Sequence, residues 1–495
     1  MYEDRIRNAK LRERVISPEE AAARITDHMV LGFSGFTSAG YPKAIPQAIA
    51  ARGTARDLTV YTGASTGPEL DGALARAGLM ARRSPFQSNV DSRNGINAGT
   101  IAFFDQHLGL MPRFIRDLPG RLDYAIIECS LITEDGGVVP TLCGGSSQSM
   151  LEKAEHILLE LNQAHAAEVY GIHDNYREAP LGERSGIPVR RVEDRIGTPA
   201  IPIDLTKVEG IVMTDDFGAT PKFTPVDDVS RAIAGHLVDF LKQEVAAGRL
   251  PEHLYPLQSG VGSVANAVLY GLMDSGFEDL TMFTEVVQDS ALELLISGKM
   301  RAASATSLSL SRAGLDRFYS HLDELKERIV LRPQDISNHP ELIRRLGVIT
   351  MNTAIEADIY GNINSTNIMG SRMMNGIGGS GDFARNAQLS IFMTPSTAKG
   401  GAISSIVPMV THVDNISQDV HVLVTEYGAA DLRGKSPKER AELIIETCCH
   451  PDYRDQLRAY YQKALETSYA KHTPVNLPDA FTWHQQYLEN GTMHL

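Results

Sequence analysis

Short apolar runs alternate with longer amphipathic stretches along most of the chain. Met29-Val-Leu-Gly-Phe33, Leu58-Thr-Val-Tyr61, Leu122-Asp-Tyr-Ala-Ile-Ile127 and His156-Ile-Leu-Leu-Glu-Leu161 read as strands. Residues 18–26 and 43–52 read as helices. Ser17-Pro-Glu-Glu20 is a strong helix start: a serine cap, a proline in the first turn, and acids at the positive end of the helix dipole. Alternating strands and helices predict α/β layers built on parallel sheets. Residues 171–224 break the rhythm with Pro, Gly and charge. They read as a long excursion that closes in a linker at Asp215-Asp-Phe-Gly-Ala-Thr-Pro-Lys222, after which a helix is expected from Pro225 toward Gln243. This places the main boundary at 224 and gives two domains, 1–224 and 225–495.

The two halves share an ordered set of matches. Asp57-Leu-Thr-Val-Tyr-Thr62 parallels Asp279-Leu-Thr-Met-Phe-Thr284, and Ser34-Gly-Phe upstream parallels Ser259-Gly-Val. Downstream, Gly144-Gly-Ser146 before Ala154-Glu-His-Ile-Leu parallels Gly378-Gly-Ser380 before Ala387-Gln-Leu-Ser-Ile. Three matches in one order predict a duplicated α/β unit. In this alignment Glu285 stands where the first copy has Gly63.

Composition narrows the class. A chain of 495 residues, 43% hydrophobic and 22% charged, has the make-up of a globular protein with a large core. A net charge of −14 argues against non-specific nucleic-acid binding, although a local glycine loop can still hold an anion. The four cysteines, two of them adjacent, form no CxxC pair and no disulfide framework. The N-terminus carries no signal-type stretch, and no run approaches the roughly 20 apolar residues of a membrane span. A cytoplasmic enzyme is expected, with no membrane or nucleic-acid partner. Cys448-Cys449-His450 reads as helix-end packing, Arg344-Arg345 and Lys438-Glu-Arg440 as solvated helix faces, and no metal cluster or P-loop motif is present.

Three chemistries compete for the glycine loops. Gly260-Val-Gly-Ser-Val-Ala265 fits a dinucleotide fingerprint, with Glu285 20 residues beyond Ala265 as the ribose-binding acid. A strand should precede the first glycine, and Leu254-Tyr-Pro-Leu-Gln-Ser259, with its proline, reads poorly as one. Gly376-Ile-Gly-Gly-Ser-Gly381 repeats the pattern after Ser371-Arg-Met-Met-Asn375, also a weak strand. Gly63-Ala-Ser65-Thr-Gly67 fits a serine-hydrolase elbow, yet none of the 15 histidines stands in a distinctive setting, and the bland alternative is a tight strand-to-helix turn. The third reading takes Glu285, at the end of the 279–284 run, as a nucleophile. A glutamate is ionised at neutral pH and needs no general base, provided the site is dry and supplies backbone donors. Its bland alternative is a surface acid at a strand end.

Gln258-Ser-Gly-Val-Gly262, Glu285-Val-Val-Gln-Asp289 and Met374-Asn-Gly-Ile-Gly-Gly-Ser-Gly-Asp-Phe383 together resemble the class I CoA-transferases, within them the acetyl-CoA hydrolase/transferase family. Ile359-Tyr-Gly-Asn-Ile-Asn-Ser-Thr366, Pro395-Ser-Thr-Ala-Lys399, Thr425-Glu426 and Asp431-Leu-Arg-Gly434 extend the likeness, as do Phe33-Ser-Gly-Phe36 and Thr62-Gly-Ala-Ser-Thr-Gly67. The resemblance covers almost the whole chain.

The resemblance implies two related open α/β domains with the active site at their interface. It also implies that CoA moves between an acyl-CoA, expected to be succinyl-CoA, and a short carboxylate, expected to be acetate. The family's nucleophile falls on Glu285, which would pass through an acyl-glutamyl anhydride and a glutamyl-CoA thioester. Backbone amides of Val261 and Gly379 match its oxyanion donors, and Asn338 a polar residue near the glutamate. Leu257, Gln258, Ser259, Gly260, Val261, Asn375, Gly379 and Lys399 match positions that contact CoA, and Glu426 and Ser65 the carboxylate pocket or its support. Relatives often carry Asn where this chain has Ser263. CoA is a substrate, no prosthetic group or metal is expected, and the assembly is expected to be a homodimer. The same glutamate could instead serve acyl-CoA hydrolysis.

Overall fold

The structure is a computed structural model that describes residues 4–222 and 226–495. The expected boundary at 224 and the helix start at Pro225 lie outside the described residues; the helix itself runs Asp228–Ala246, capped by Asp227. The chain forms two compact units. One holds residues 1–222 and 281–346, the other 223–280 and 347–495. By contacts, then, the segment bearing Glu285 belongs with the N-terminal part of the chain.

In the first unit eight strands form one sheet: β1 (Val30–Thr37), β2 (Leu58–Ser65), β3 (Met80–Ser84), β4 (Ala102–Phe103), β5 (Leu122–Ile132), β6 (Val138–Pro140), β7 (Ala154–Asn162) and β8 (Val208–Thr214). The order is β4-β3-β2-β1-β5-β7-β8, all parallel, with β6 antiparallel on β5. The parallel sheet explains the near-continuous apolar runs, since both faces are covered. Leu31, Phe33, Val60 and Ile126 fill one layer, and Ala125, Ile127, Leu159 and Ile211 the other. The Ser17 capping box forms as expected and starts the helix Pro18–Ala22.

The chain continues with β9 (Leu257–Ser259) in the second unit. It next supplies β10 (Leu280–Phe283), β11 (Val286–Val287), β12 (Met300–Ala305), β13 (Ser307–Leu308) and β14 (Ile329–Leu331), then β15 (Ile349–Thr353). In the second unit β9, β15 and the strands Leu389–Met393 and Val422–Thr425 are successive parallel neighbours. That order repeats β1-β5-β7-β8, and β10-β12-β14 repeats β2-β3-β4. The duplication read from short sequence matches is therefore carried by topology as well. A second core lies around Ile359, Phe392, Leu423, Ile444, Tyr453 and Trp483, under the C-terminal helices.

Two readings of the sequence change. Residues 208–214, inside the expected excursion, form a full strand, β8, whose Gly210 reads as a loop signal. Here a Cβ would meet Ile16 at 2.1 Å, so the glycine admits a neighbouring side chain into the sheet. Arg345 is not simply solvated: its guanidinium donates to the carbonyls of Val189 and, at 2.7 Å, Ile187, tying the excursion down. All four cysteines are free and buried, and burial pushes the thiols of Cys448 and Cys449 up to about 12. Cys448 ends the helix Pro437–Cys448, the packing role expected of it. Among the described residues no helix is long and apolar enough to cross a membrane.

Candidate active site

Glu285 stands between β10 and β11, whose Val286 and Val287 pair in parallel with Ser307 and Leu308 of β13. Thr284 N donates to Ser304 O at 2.9 Å, so sheet pairing persists to the residue before the glutamate. The carbonyl of Glu285 then accepts from Thr306 N at 2.9 Å and Ser307 N at 3.0 Å, which fixes the peptide. Next to it, Val286 packs in a small apolar cluster with Phe36, Ala39, Ala64, Leu108 and Cys143. Glu285 itself is only 8% exposed, which excludes the surface-acid alternative. Its Oε1 accepts from Asn338 Nδ2 at 3.1 Å, and Asn338 is fully buried. A buried carboxylate with an amide donor on one oxygen is less weakened by hydration than one in open water.

The mount of this carboxylate is a lattice of buried loops. Thr306 Oγ1 donates to Arg332 O at 2.8 Å and accepts from Gly145 N at 3.0 Å. At Gly144 a Cβ would lie 2.5 Å from the carbonyl of Arg332, so only glycine lets these loops approach so closely. The Arg332 side chain, wholly buried, pairs with Asp174 and donates to Ser304 Oγ at 2.7 Å and to the carbonyls of Val192 and Asp194. Asp174, Val192 and Asp194, all within the expected excursion, therefore brace the strand ends through Arg332, while much of 176–204 stays exposed. Asp289, the last residue of the Glu285 motif, accepts from Ser311 N at 2.9 Å and starts the helix Asp289–Ile296.

Ser65 ends β2 with its side chain fully buried. Its hydroxyl donates to Asp71 Oδ2 at 2.8 Å, and Arg83 Nε donates to Asp71 Oδ1 at 2.9 Å. Arg83 also donates to Ser65 O at 2.9 Å and Thr62 Oγ1 at 2.8 Å, closing a buried polar knot around the turn at 63–67. No histidine partners this serine in the knot, and the turn reading fits it better than a nucleophile elbow.

The remaining expected residues lie in the second unit. Leu257, Gln258 and Ser259 are buried in β9; Gln258 spends its amide on β15, with Nε2 to Asn352 Oδ1 and Oε1 from Met351 N, both at 3.1 Å. Gly260 N bonds Met351 O at 3.1 Å, after which Val261, 44% exposed, and Gly262, at φ 114°, lead into the helix Ser263–Met273. A strand does precede Gly260, contrary to the sequence reading. Pro256 sits just outside it, where its carbonyl accepts from Ile349 N at 2.9 Å and no donor is required of it. The second glycine loop follows Arg372–Met373, half of an antiparallel ribbon, and is not a dinucleotide context. Gly379 is buried and caps the helix Ser380–Ala384. Asn375 is half-buried, and its Oδ1 finds no hydrogen-bond partner among the described residues. Lys399 is exposed at a hairpin tip with φ 53°, a left-handed conformation unusual for lysine. Glu426 accepts from Ser396 N at 2.8 Å and Ser396 Oγ at 2.5 Å. Among the described residues no group of three or more His, Cys, Asp or Glu could hold a metal ion.

Residues 1–204 match the acetyl-CoA hydrolase/transferase N-terminal domain and residues 314–461 the acetyl-CoA hydrolase/transferase C-terminal domain. The chain belongs to the acetyl-CoA hydrolase/transferase family. It is 48% identical to the succinyl-CoA:acetate CoA-transferase of Clostridium kluyveri, over 99% of this chain and 92% of that protein. It is 46% identical to an acetyl-CoA hydrolase of Schizosaccharomyces pombe, over 100% and 99%. Among solved structures, RipA from Yersinia pestis superposes with a TM-score of 0.72 at 24% identity, covering 92% of this chain and 98% of that one, and shares its fold. An enzyme of the acetyl-CoA hydrolase/transferase family uses CoA thioesters as substrates, and dehydrogenase and serine-hydrolase readings of the glycine loops fall away.

Sequence reasoning missed Gln334, Ser337, Thr306 and Arg332 as supports of the candidate site. A usable signal was the i, i+4 spacing of Gln334 and Asn338, which places both on one face of a helical turn.

Proposed function

We propose that the protein transfers CoA between an acyl-CoA and a free short carboxylate, with succinyl-CoA and acetate as the working pair. A Glu285 oxygen attacks the thioester carbonyl and expels CoA thiolate, leaving an acyl-glutamyl anhydride. The thiolate attacks the glutamyl carbonyl, releasing the first carboxylate and leaving a glutamyl-CoA thioester. The acceptor carboxylate attacks that thioester, the thiolate leaves, and its return to the acceptor's carbonyl regenerates Glu285 and a new acyl-CoA. Each step exchanges one acyl bond for another, so the cycle is near-balanced without ATP. The observation that carries this reading is the buried Glu285 carboxylate on the Asn338 amide. In the same proposal the backbone amides of Val261 and Gly379 take the oxyanion, while Leu257 to Val261, Asn375 and Lys399 bind CoA. Glu426 and Ser65 serve or support the carboxylate pocket. The orphan Oδ1 of Asn375 supports its part, since a buried acceptor without a partner invites a ligand donor.

Incubation with succinyl-CoA followed by borohydride should reduce a thioester at Glu285, and peptide mass mapping should find the change there; modification elsewhere refutes the assignment. A second reading, hydrolysis of acetyl-CoA by the same glutamate, is supported by relatives such as the Schizosaccharomyces pombe protein. The two part in an assay of acetyl-CoA loss with and without added succinate. A transferase consumes it only when the acceptor is present.

A further inference from the structure

Ser337 closes the short helical turn Gln334–Ser337 immediately before Asn338, and both residues are wholly buried. Its Oγ lies 2.8 Å from Asn338 Oδ1 and 3.3 Å from Gln334 O. A carboxylate can only accept, so Glu285 requires the NH2 end of the Asn338 amide to face it. The carbonyl end must then face Ser337, which has a proton to give. A flipped amide would aim Oδ1 at Glu285 Oε1, oxygen against oxygen. The turn that carries both residues is bolted in place by Gln334, whose N donates to Gly145 O at 2.9 Å. Its Nε2 donates to Gly63 O at 3.0 Å and Leu108 O at 2.7 Å.

We infer that Ser337 is a positioning residue that locks the Asn338 amide in the orientation that presents Nδ2 to the acyl oxygen of Glu285 throughout the cycle. The inference rests on the proposed role of Glu285. The lock matters because the partner changes character. Glu285 is an anion at rest, and as an anhydride or thioester it becomes a neutral acyl group that no longer enforces the donor end by charge. During those stages the orientation is held from behind, by the serine hydroxyl on Oδ1. A polarised amide carbonyl also makes its N–H a stronger donor.

The test is a double-mutant cycle on the full chain, read by the exchange assay and by thermal unfolding. Ser337→Ala should lower kcat roughly ten-fold, with the KM for acyl-CoA within about two-fold of the parent. In the Asn338→Ala background, adding Ser337→Ala should change kcat by less than about two-fold, since the hydroxyl then has no amide to hold. Independent, multiplying losses in the two backgrounds, or an unchanged kcat in a folded Ser337→Ala protein, would overturn the inference. If Ser337→Ala fails to fold, Ser337→Cys, near-isosteric and a weak donor, replaces it with the same readings. Glu285→Ala run alongside separates the two levels: activity surviving there defeats the nucleophile reading, whereas additivity in the cycle defeats only the lock.

Discussion

The ends of β2 and β10 occupy matching places in two copies of one motif, and they have been put to opposite uses. Near the end of β2 stands Gly63, where a Cβ would meet Gly35 O at 2.7 Å and Gln334 Oε1 at 3.0 Å. There is no space for a side chain, and the strand runs on into Ser65, whose hydroxyl is consumed by Asp71. Just past the end of β10 stands Glu285, buried, with an amide on its carboxylate. One helical turn serves both ends: Gln334 grips the carbonyl of Gly63, and Asn338, four residues on, holds Glu285. Duplication supplied two equivalent strand tips. Filling one with backbone made it a rigid abutment for the other.

The contrast can be broken at several points. The largest effect is expected at Glu285: replacement by Ala should lower exchange at least a thousand-fold while the Tm stays near that of the parent. A stable protein with normal turnover would erase the distinction between the two tips. Next comes Arg332→Met, which strands the buried Asp174 carboxylate and should cost about 3–5 kcal/mol in denaturant unfolding. Because the Arg332 carbonyl receives Thr306 Oγ1 beside Glu285, activity should fall before global unfolding. Gly63→Ala should cost about 1–3 kcal/mol, because the new methyl must push back a carbonyl rather than a side-chain tip. A fully stable Gly63→Ala protein would show that the β2 end is not filled as described. The smallest effect is expected for Ser65→Ala, a loss of about 1 kcal/mol with exchange retained. Lost exchange at unchanged Tm would mean that Ser65 serves the carboxylate pocket directly and does not merely support it.

What was legible in the sequence was whatever local pattern dictates. The apolar runs at 29–33, 58–61 and 122–127 read as strands and overlap β1, β2 and β5, and Ser17, read as a cap, is one. Glu285 was legible as a candidate because a strand tip and glycine loops are local features. Its burial and its amide partner were not, since Asn338 lies 53 residues on in sequence. The excursion over 171–204 hid its role for the same reason. Asp174 and the carbonyls of Val192 and Asp194 acquire meaning only through Arg332, more than a hundred residues on. β8 was lost inside a stretch read as an excursion from its Pro, Gly and charge; its Gly210 makes room for Ile16.

The buried cysteines bear on handling as well as on packing. An enzyme of a family that uses CoA thioesters works beside a pool of CoA thiol, a potential disulfide-forming partner. Here the four cysteines are buried, and burial pushes two of the thiols up to about 12, so mixed disulfides with CoA find little foothold. By the same token, a cysteine introduced on an exposed helix face would be the sole site for a thiol-directed fluorophore, and motions during turnover could be followed without first stripping the native residues.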